Sequence, residues 1–353
     1  TFVLKRKLAI IGTGAAIGLI ALLLSFLGNP ANMGFCVACF LRDIAGACGL
    51  HSAGAVQYFR PEIAGIVLGS LIAALAAREF RPSGGSSPLT RFIIGAFVMI
   101  GALMFLGCPL RMLLRIGGGD LNALVGLAGF AGGIGIGALW LSGGFSLKRA
   151  YPQRKAEGFM FPALLFVLFA LSLLFPALFS ATEAGNGPGA LHAAIWLALL
   201  AGLIVGALCQ RTRFCTTAAG RDVMLFRDYS FLWGLLALVA VTIIGNLILG
   251  KFHLSFQNQP VAHNDWLWNF LGMALVGWGS VYLGGCPLRQ LVLAGEGNTD
   301  SAVSVLGMIA GAALSHNFSL ASSAAGPTMN GMIAVVVGFV VLFIIGIFNR
   351  ERV

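Results

Sequence analysis

The chain has 353 residues, of which 58% are hydrophobic and only 10% are charged. An average soluble domain carries about 25% charged residues, so this composition excludes an ordinary soluble protein. A net charge of +10 would suit nucleic acid, but the basic residues lie between apolar segments and form no patch with interleaved aromatic residues. They indicate membrane topology instead, and nucleic acid is excluded as a partner.

Apolar segments of about 18 to 23 residues are long enough to cross a hydrocarbon core of about 30 Å. Ten predicted spans follow one another along the chain, at about 8–28, 61–80, 90–106, 120–142, 158–180, 190–209, 229–250, 266–284, 299–318 and 330–349. The first follows a basic stretch at residues 5–7, as the apolar part of a signal peptide would. Because no small-residue cleavage site comes after it, we expect a retained first span.

The basic residues predict the orientation of these spans. If the N-terminus lies in the cytoplasm, the outside holds only Arg42, Arg60, Arg111, Arg115 and Lys251, and every other lysine and arginine lies inside. This is a strong positive-inside bias. The sequence therefore predicts an all-α polytopic protein of the bacterial inner (plasma) membrane, with both termini in the cytoplasm.

Four further segments, at about 34–50, 107–118, 213–226 and 285–297, are too short or too interrupted to span a membrane, and each begins at or near a cysteine. They contain an internal repeat. Phe35-Cys36 is followed by Arg42-Asp43, six residues after the cysteine. The same spacing separates Phe214-Cys215 from Arg221-Asp222, 179 residues further along the chain. Gly107-Cys108-Pro109-Leu110-Arg111 recurs letter for letter at 285–289, with an offset of 178 residues. Two motifs with nearly one offset indicate a tandem duplication.

The duplication predicts two domains, a first half at 1–185 and a second at 186–353. Each half holds five spans, an odd number, so the second should lie inverted relative to the first, as in many transporters. The four short segments are predicted to be re-entrant half-helices. Those at Cys36 and Cys108 would enter from outside, and those at Cys215 and Cys286 from the cytoplasm.

The repeated Gly-Cys-Pro-Leu-Arg predicts a helix start. Proline suits the first helical position, which makes Cys108 and Cys286 the N-cap residues and the preceding glycines the turns. Helix N-termini expose unpaired N–H groups and bind anions, and an arginine one turn on can neutralise an oxyanion. The predicted substrate-binding residues are Cys36, Cys108, Cys215, Cys286, Gly107, Gly285, Arg111 and Arg289, with Cys39, Arg42 and Arg221 as secondary candidates.

The other chemistry-bearing residues favour structural roles. Cys48 and Cys209 have no repeat partner and are interpreted as small buried apolar residues. The two Arg-Asp dipeptides are interpreted mainly as structural ion pairs. The five histidines show no metal-ligand spacing, and there is no nucleotide-binding loop, so neither a metal nor a cofactor is predicted.

On these motifs the chain resembles the YeeE/YedE family of sulfur-transport membrane proteins. The stretch 29–43, Asn-Pro-Ala-Asn-Met-Gly-Phe-Cys-Val-Ala-Cys-Phe-Leu-Arg-Asp, is similar to the YedE branch associated with selenium metabolism. The resemblance implies an hourglass-shaped protein that takes up thiosulfate or a related sulfur or selenium compound along central cysteine thiols. It implies that Cys36, Cys108, Cys215 and Cys286 carry this role. The resemblance also implies a cytoplasmic sulfur or selenium carrier protein as a further partner, beside the lipid bilayer.

Three hypotheses therefore remain open. The leading one is a transporter for a small sulfur- or selenium-containing anion, with no enzymatic activity. The second is a membrane thiol–disulfide oxidoreductase, because Cys36 and Cys39 have the spacing of a redox motif. The third is an hourglass channel for a small solute. Loss of activity in Cys39→Ser would favour the second, and permeation that survives cysteine-to-alanine changes would favour the third.

Overall fold

The computed structural model describes residues 2–351, which fold into helices joined by short loops. The first seven helices are α1 (Phe2–Phe26), α2 (Val37–Ala47), α3 (Pro61–Ala76), α4 (Pro88–Phe105), α5 (Pro109–Gly117), α6 (Leu121–Ser142) and α7 (Lys155–Leu174). The next seven are α8 (Ile195–Thr212), α9 (Thr216–Phe226), α10 (Ser230–Ile248), α11 (Trp266–Leu283), α12 (Pro287–Gly295), α13 (Thr299–Asn317) and α14 (Met329–Phe348). Two two-residue strands, β1 (Ser83–Gly84) and β2 (Tyr151–Pro152), pair antiparallel. The predicted all-α class is confirmed.

Within these residues, nine helical stretches are long and apolar enough to cross a membrane. They include nine of the ten predicted spans, and the chain is a multi-pass membrane protein. The remaining predicted span, at 299–318, forms helix α13 but is not among these nine stretches. Its sequence is less apolar because Asp300, Ser301, Ser304 and Ser315 lie buried on it, facing protein.

The order of long and short helices in α1–α7 recurs in α8–α14, and the packing between the two sets is reciprocal. Helix α1 packs on α10, and the corresponding pair α8 and α3 also pack together. Helix α4 packs on α13, and the corresponding α11 packs on α6. Each set therefore supplies half of every major helix pair in the core, so neither buries its apolar surface alone.

Pairs of glycines four residues apart bring these helices into close contact. A Cβ added at Gly14 or Gly18 of α1 would strike the backbone of Gly234 or Leu238 on α10. The same pattern recurs in the other three helix pairs. Glycines 65 and 69 of α3 meet the backbone near residues 199 and 203 of α8. Glycines 129 and 133 of α6 meet residues 270 and 274 of α11, and glycines 307 and 311 of α13 meet residues 92 and 96 of α4. Small residues at this spacing allow helix backbones to approach closely in lipid. In each pair, the residue numbers of the two contacting helices increase in the same direction, so the two helices run parallel.

Gly14→Ala should prevent the protein from folding to normal yield, because the added methyl group collides with the carbonyl of Gly234 and forces α1 and α10 apart. Gly12→Ala is a matched control in the same helix, since a Cβ there meets nothing within 4 Å. The measurement is the fraction of monodisperse protein recovered in detergent and its melting temperature. Equal behaviour of the two variants would contradict this packing.

Helix α1 runs antiparallel to α8, because Gly28 beyond the end of α1 packs on His192, before the start of α8. The Asn29 side chain also accepts from the Ala193 N–H at 2.8 Å. A chain of ten spans with inverted halves requires these four helix pairs to be parallel and α1 to be antiparallel to α8, and the structure has both features. We propose that arrangement, with the half boundary near residue 185. It remains a prediction with respect to the membrane.

Candidate functional site

Each of the four short helices begins directly after a cysteine. The N-cap residues of α2, α5, α9 and α12 are Cys36, Cys108, Cys215 and Cys286. Of these, the Cys36 sulfur accepts a hydrogen bond from the Cys39 N–H at 3.3 Å, and the other three make no side-chain capping bond. The unpaired N–H groups and the positive dipole ends of all four helices are therefore placed beside a thiol.

The four helix starts form two groups of thiols. Cys215 and Cys286 lie with their sulfur atoms 3.8 Å apart. Cys36, Cys39 and Cys108 are neighbours in the other group. Helix α2 contacts α12, and α5 contacts α9, so the two groups approach each other inside the core. All five thiols are buried, with Cys215 the most exposed at 4%.

The glycine before each Cys-Pro makes room for the arginine that follows. A Cβ at Gly107 would lie 2.9 Å from Cδ of Arg111, and one at Gly285 would lie 2.8 Å from Cγ of Arg289. Each arginine folds back over its own turn, against its helix N-terminus. The repeat motif therefore encodes a unit of turn, thiol, helix start and guanidinium.

Arg111 is completely buried and bonds only to neutral groups among residues 2–351. Its guanidinium donates to the carbonyl oxygens of Asn32, Leu106, Pro260 and Val261, and Nη1 lies 4.0 Å from the sulfur of Cys39. No carboxylate of the described chain lies within ion-pair distance of it. An arginine at membrane depth costs roughly 2.5–3.5 kcal/mol on insertion scales. This unneutralised charge therefore favours an anion beside the thiols of the first group.

Arg289 has the equivalent position in the second half but a different environment. Its Nη1 pairs with Oε1 of Glu296 at 3.0 Å, and both side chains are nearly buried. The repeat offset explains the difference: Glu296 replaces Gly118, while Leu293 replaces Arg115 and Asn298 replaces Asp120.

In the first half the acidic side chain is used by a different arginine. Asp120 binds Arg115 at 2.6 Å, and Arg115 also donates to the carbonyl of Phe105 at 2.8 Å. The first half thus has two buried arginines and one carboxylate near its half-helix, whereas the second has one of each. One net positive charge therefore remains at the Arg111 end of the site.

A cavity of about 340 Å³ is bounded by two carbonyl partners of Arg111, although not by Arg111 itself, and is called the Arg111 cavity here. It lies at the C-terminal ends of α1 and α10, and Asn32 and Pro260, whose carbonyls bind Arg111, line it. Its polar lining carries amide groups together with Lys251 and His253, and no carboxylate of the described chain lines it. This cavity is suited to attracting an anion. On the predicted topology it faces outside.

A second cavity, of about 360 Å³, lies at the C-terminal ends of α3 and α8, and we call it the Glu296 cavity. Because α1 and α8 are antiparallel, it opens at the opposite end of the molecule. Its lining consists of Glu79, Arg81, Ser83, Arg213, Leu293, Glu296 and Asn298. Arginines and carboxylates alternate there, so the positive charge is largely neutralised.

The secondary candidates serve different roles. Arg42 pairs with Asp43 at 2.7 Å, and Arg221 pairs with Asp222 at 2.8 Å, so both dipeptides form the same local ion pair. Asp43 also binds Arg60 at 2.7 Å, and these contacts fit the structural interpretation. Cys39, by contrast, lies within the first thiol group. Within residues 2–351 no set of three histidine, cysteine or acidic side chains is arranged to hold a metal ion.

Sequence reasoning missed several residues around the thiols. Thr216 and Thr217, which follow Cys215, are buried, and neither hydroxyl has a partner among the described residues. Thr216 lies beside the Cys286 thiol. Two hydroxyl groups next to a Cys-capped helix start could have suggested donors to an oxyanion. Lys251, His253 and Glu296 had no detectable signal, because their positions depend on tertiary packing.

Comparison with known proteins gives three matches. Residues 211–348 match the protein family described as Sulphur transport. A thiosulfate transporter, TsuA, of Spirochaeta thermophila is 33% identical over 108 residues, which cover 30% of this chain and 32% of that protein. The Escherichia coli K12 thiosulfate transporter TsuA is 31% identical over 103 residues, covering 28% of this chain and 29% of that protein. The aligned segments thus cover about a third of either relative's length.

The fold defines a polytopic α-helical membrane protein in which two groups of thiols at helix starts lie buried in the core. These matches bear out, over the aligned segments, the resemblance to the YeeE/YedE family of sulfur-transport proteins that the motifs indicated. The assignment to its selenium-associated branch stays a prediction.

Proposed function

We propose that this protein is an inner-membrane transporter that takes up a small sulfur oxyanion of the thiosulfate type. The observation that supports this most is the convergence of four cysteine-capped helix N-termini between two cavities at opposite ends of the molecule. The named relatives, which are thiosulfate transporters, support the same cargo class. In this proposal the protein is not an enzyme, and its termini lie in the cytoplasm.

The site offers two kinds of hydrogen-bond donor to such an anion. Thiosulfate has a terminal sulfur that accepts weak S–H bonds and oxygen atoms that accept stronger N–H and O–H bonds. The thiols of Cys36, Cys108, Cys215 and Cys286 match the sulfur atom. The helix N–H groups and the unpartnered hydroxyls of Thr216 and Thr217 match the oxygen atoms. Such donors replace part of the hydration shell that the anion loses.

The anion would move through these sites in sequence. It enters the Arg111 cavity, where the uncompensated guanidinium favours it, and then contacts the first thiol group. The second group, with sulfur atoms 3.8 Å apart, lies further along and leads to Arg289. Individually weak, successive sites permit both entry and exit, as conduction requires. No covalent step is needed, since each contact is a hydrogen bond or a charge interaction.

Purified protein in liposomes should take up radiolabelled thiosulfate in a saturable manner, because a finite set of sites must be occupied for passage. Unlabelled thiosulfate should compete fully and chloride should not, since chloride lacks the sulfur and oxygen acceptors. Selenite is added as a second competitor, because competition by it would support the selenium branch. Liposomes without protein provide the background. Uptake no faster than this background, from protein that is folded by size exclusion, would reject the proposed function.

The two alternatives have weaker support. The redox spacing of Cys36 and Cys39 has no counterpart in the second half, where Thr216 and Thr217 follow Cys215. A neutral-solute channel would gain nothing from a fully buried arginine without a carboxylate partner. A separate cytoplasmic carrier that receives the cargo stays a proposal that follows from the family resemblance alone.

A further inference from the structure

We propose that Glu296 is the release residue of this transporter: its carboxylate competes with the anion for Arg289 and so frees the cargo at the cytoplasmic end. This inference rests on the proposed function and adds a direction and a residue to it. It starts from the difference between the two halves. The same motif places an arginine at each end of the site, but only Arg289 has a carboxylate partner among the described residues.

Geometry places Glu296 between the site and the Glu296 cavity. Oε1 lies 3.0 Å from Nη1 of Arg289, whose helix starts at Cys286. Oε2 lies 3.8 Å from Nη1 of Arg213 at the cavity wall. An anion that has passed Cys215 and Cys286 therefore reaches a guanidinium that is already neutralised. Its residence there is short, because the internal carboxylate replaces it.

The ion pairs continue outward from Glu296. Arg213 also approaches Oε2 of Glu79 at 3.6 Å, and Arg211 approaches Oε1 of Glu79 at 3.4 Å. A hydrogen bond from Gln210, together with the nearby arginines, lowers the pKa of Glu79, so this carboxylate is ionised at neutral pH. The cytoplasmic cavity therefore presents two negative charges among its arginines. The Arg111 cavity presents none from the described residues, so the two ends differ in their attraction for anions.

The two halves therefore share one sequence motif but differ in how strongly their arginines attract an anion. Arg111 lowers the free energy of the bound anion at the entry site. Glu296 neutralises Arg289, so the anion is bound less strongly at the exit site. Two equally deep wells would trap the cargo, because departure would be slow. The carboxylate at Glu296, where the first half has Gly118, thus has a functional reason.

The test uses right-side-out and inside-out membrane vesicles containing the full protein, so that each face is measured separately with radiolabelled thiosulfate. In Glu296→Gln, Arg289 loses its counter-charge. The KM measured from the cytoplasmic face should fall about tenfold, an effect of the size seen for close charge pairs. The maximal rate of uptake from the outer face should fall several-fold because release becomes slow. The KM at the outer face should not change.

Two variants separate this role from general destabilisation. Glu79→Gln removes a carboxylate of the same cavity that does not contact Arg289, so it should lower the cytoplasmic KM much less than Glu296→Gln does. The double variant Arg289→Gln/Glu296→Gln removes both charges and should bring the cytoplasmic KM back toward or above that of the unmodified protein. A structural role for Glu296 would produce neither the rescue nor a change in KM at one face only.

Thiosulfate binding by isothermal titration in detergent gives a readout that does not depend on transport. Glu296→Gln should bind more tightly than the unmodified protein. If the unmodified protein transports thiosulfate while Glu296→Gln shows unchanged affinity and unchanged KM at both faces, the inference is wrong and the proposed function stands. If the unmodified protein neither binds nor transports thiosulfate, the proposed function fails and this inference fails with it.

Discussion

Cys286→Ala should reduce thiosulfate uptake by at least about tenfold, as expected when a buried site loses a donor at a point every cargo molecule must pass. Cys286 caps α12 and lies 3.8 Å from the sulfur of Cys215, so the alanine removes one half of a thiol pair. Cys215→Ala should have a similar effect for the same reason. The measurement is initial uptake into liposomes at saturating and subsaturating thiosulfate, normalised to folded protein.

Cys209→Ala is the matched control for the cysteine variants. Cys209 is as deeply buried as Cys286 but lies within α8 and caps no helix. Its replacement should leave uptake within about twofold, because it removes no capping thiol, and large effects of single mutations arise from the loss of a specific interaction or a large core cavity. Normal uptake by both Cys286→Ala and Cys215→Ala would show that the thiols only pack. The channel hypothesis would then become the better explanation.

Arg111→Gln should raise the KM for thiosulfate uptake by at least about tenfold, because truncating one partner of a buried charge interaction costs about 2–5 kcal/mol. Glutamine keeps part of the hydrogen bonding to the carbonyls of Asn32 and Pro260 but removes the charge. The maximal rate should fall less than the affinity, since the main loss is at entry. KM and maximal rate are measured from the outer face in right-side-out vesicles.

Arg115→Gln provides the comparison for Arg111. Arg115 is equally buried and belongs to the same helix α5, but Asp120 already neutralises it. Its replacement leaves Asp120 unpaired and should lower the yield of folded protein, with little effect on the KM of the molecules that do fold. Equal KM values for Arg111→Gln and the unmodified protein would rule out an electrostatic entry site.

Much of this fold could be predicted because its determinants are local. The apolar length of each span, the proline after Cys108 and Cys286, and the glycines at the ends of the short helices act within a few residues of chain. Gly119 and Gly297 take positive φ values of 90° and 94°, as expected where a short helix turns sharply into the next span. The predicted N-cap positions of Cys108 and Cys286 agree with the structure for the same reason.

The rest depended on tertiary contacts that spacing does not encode. Arg111 and Arg289 have identical local sequences, and only the fold decides that Glu296 reaches Arg289 while Asp120 binds Arg115. The two cavities likewise form from distant loops, such as the one carrying His253 and Pro260. Helix α13 is a further example. Its polar residues lower its mean hydropathy, and only the packing of the folded protein shows that these residues face other helices.

The choice of cysteine as the capping residue has a thermodynamic consequence. Serine, threonine, asparagine or aspartate at a helix N-cap stabilises a protein by about 1 kcal/mol, because the side-chain oxygen satisfies an N–H group of the first turn. Sulfur is a weak acceptor, and three of the four capping thiols make no such bond. At those three helix ends the protein forgoes this stabilisation and leaves the N–H groups of the first turn without a side-chain acceptor at the cap. If the proposed function holds, stability and transport are opposed at these three positions, so substitutions that raise the melting temperature there should slow uptake.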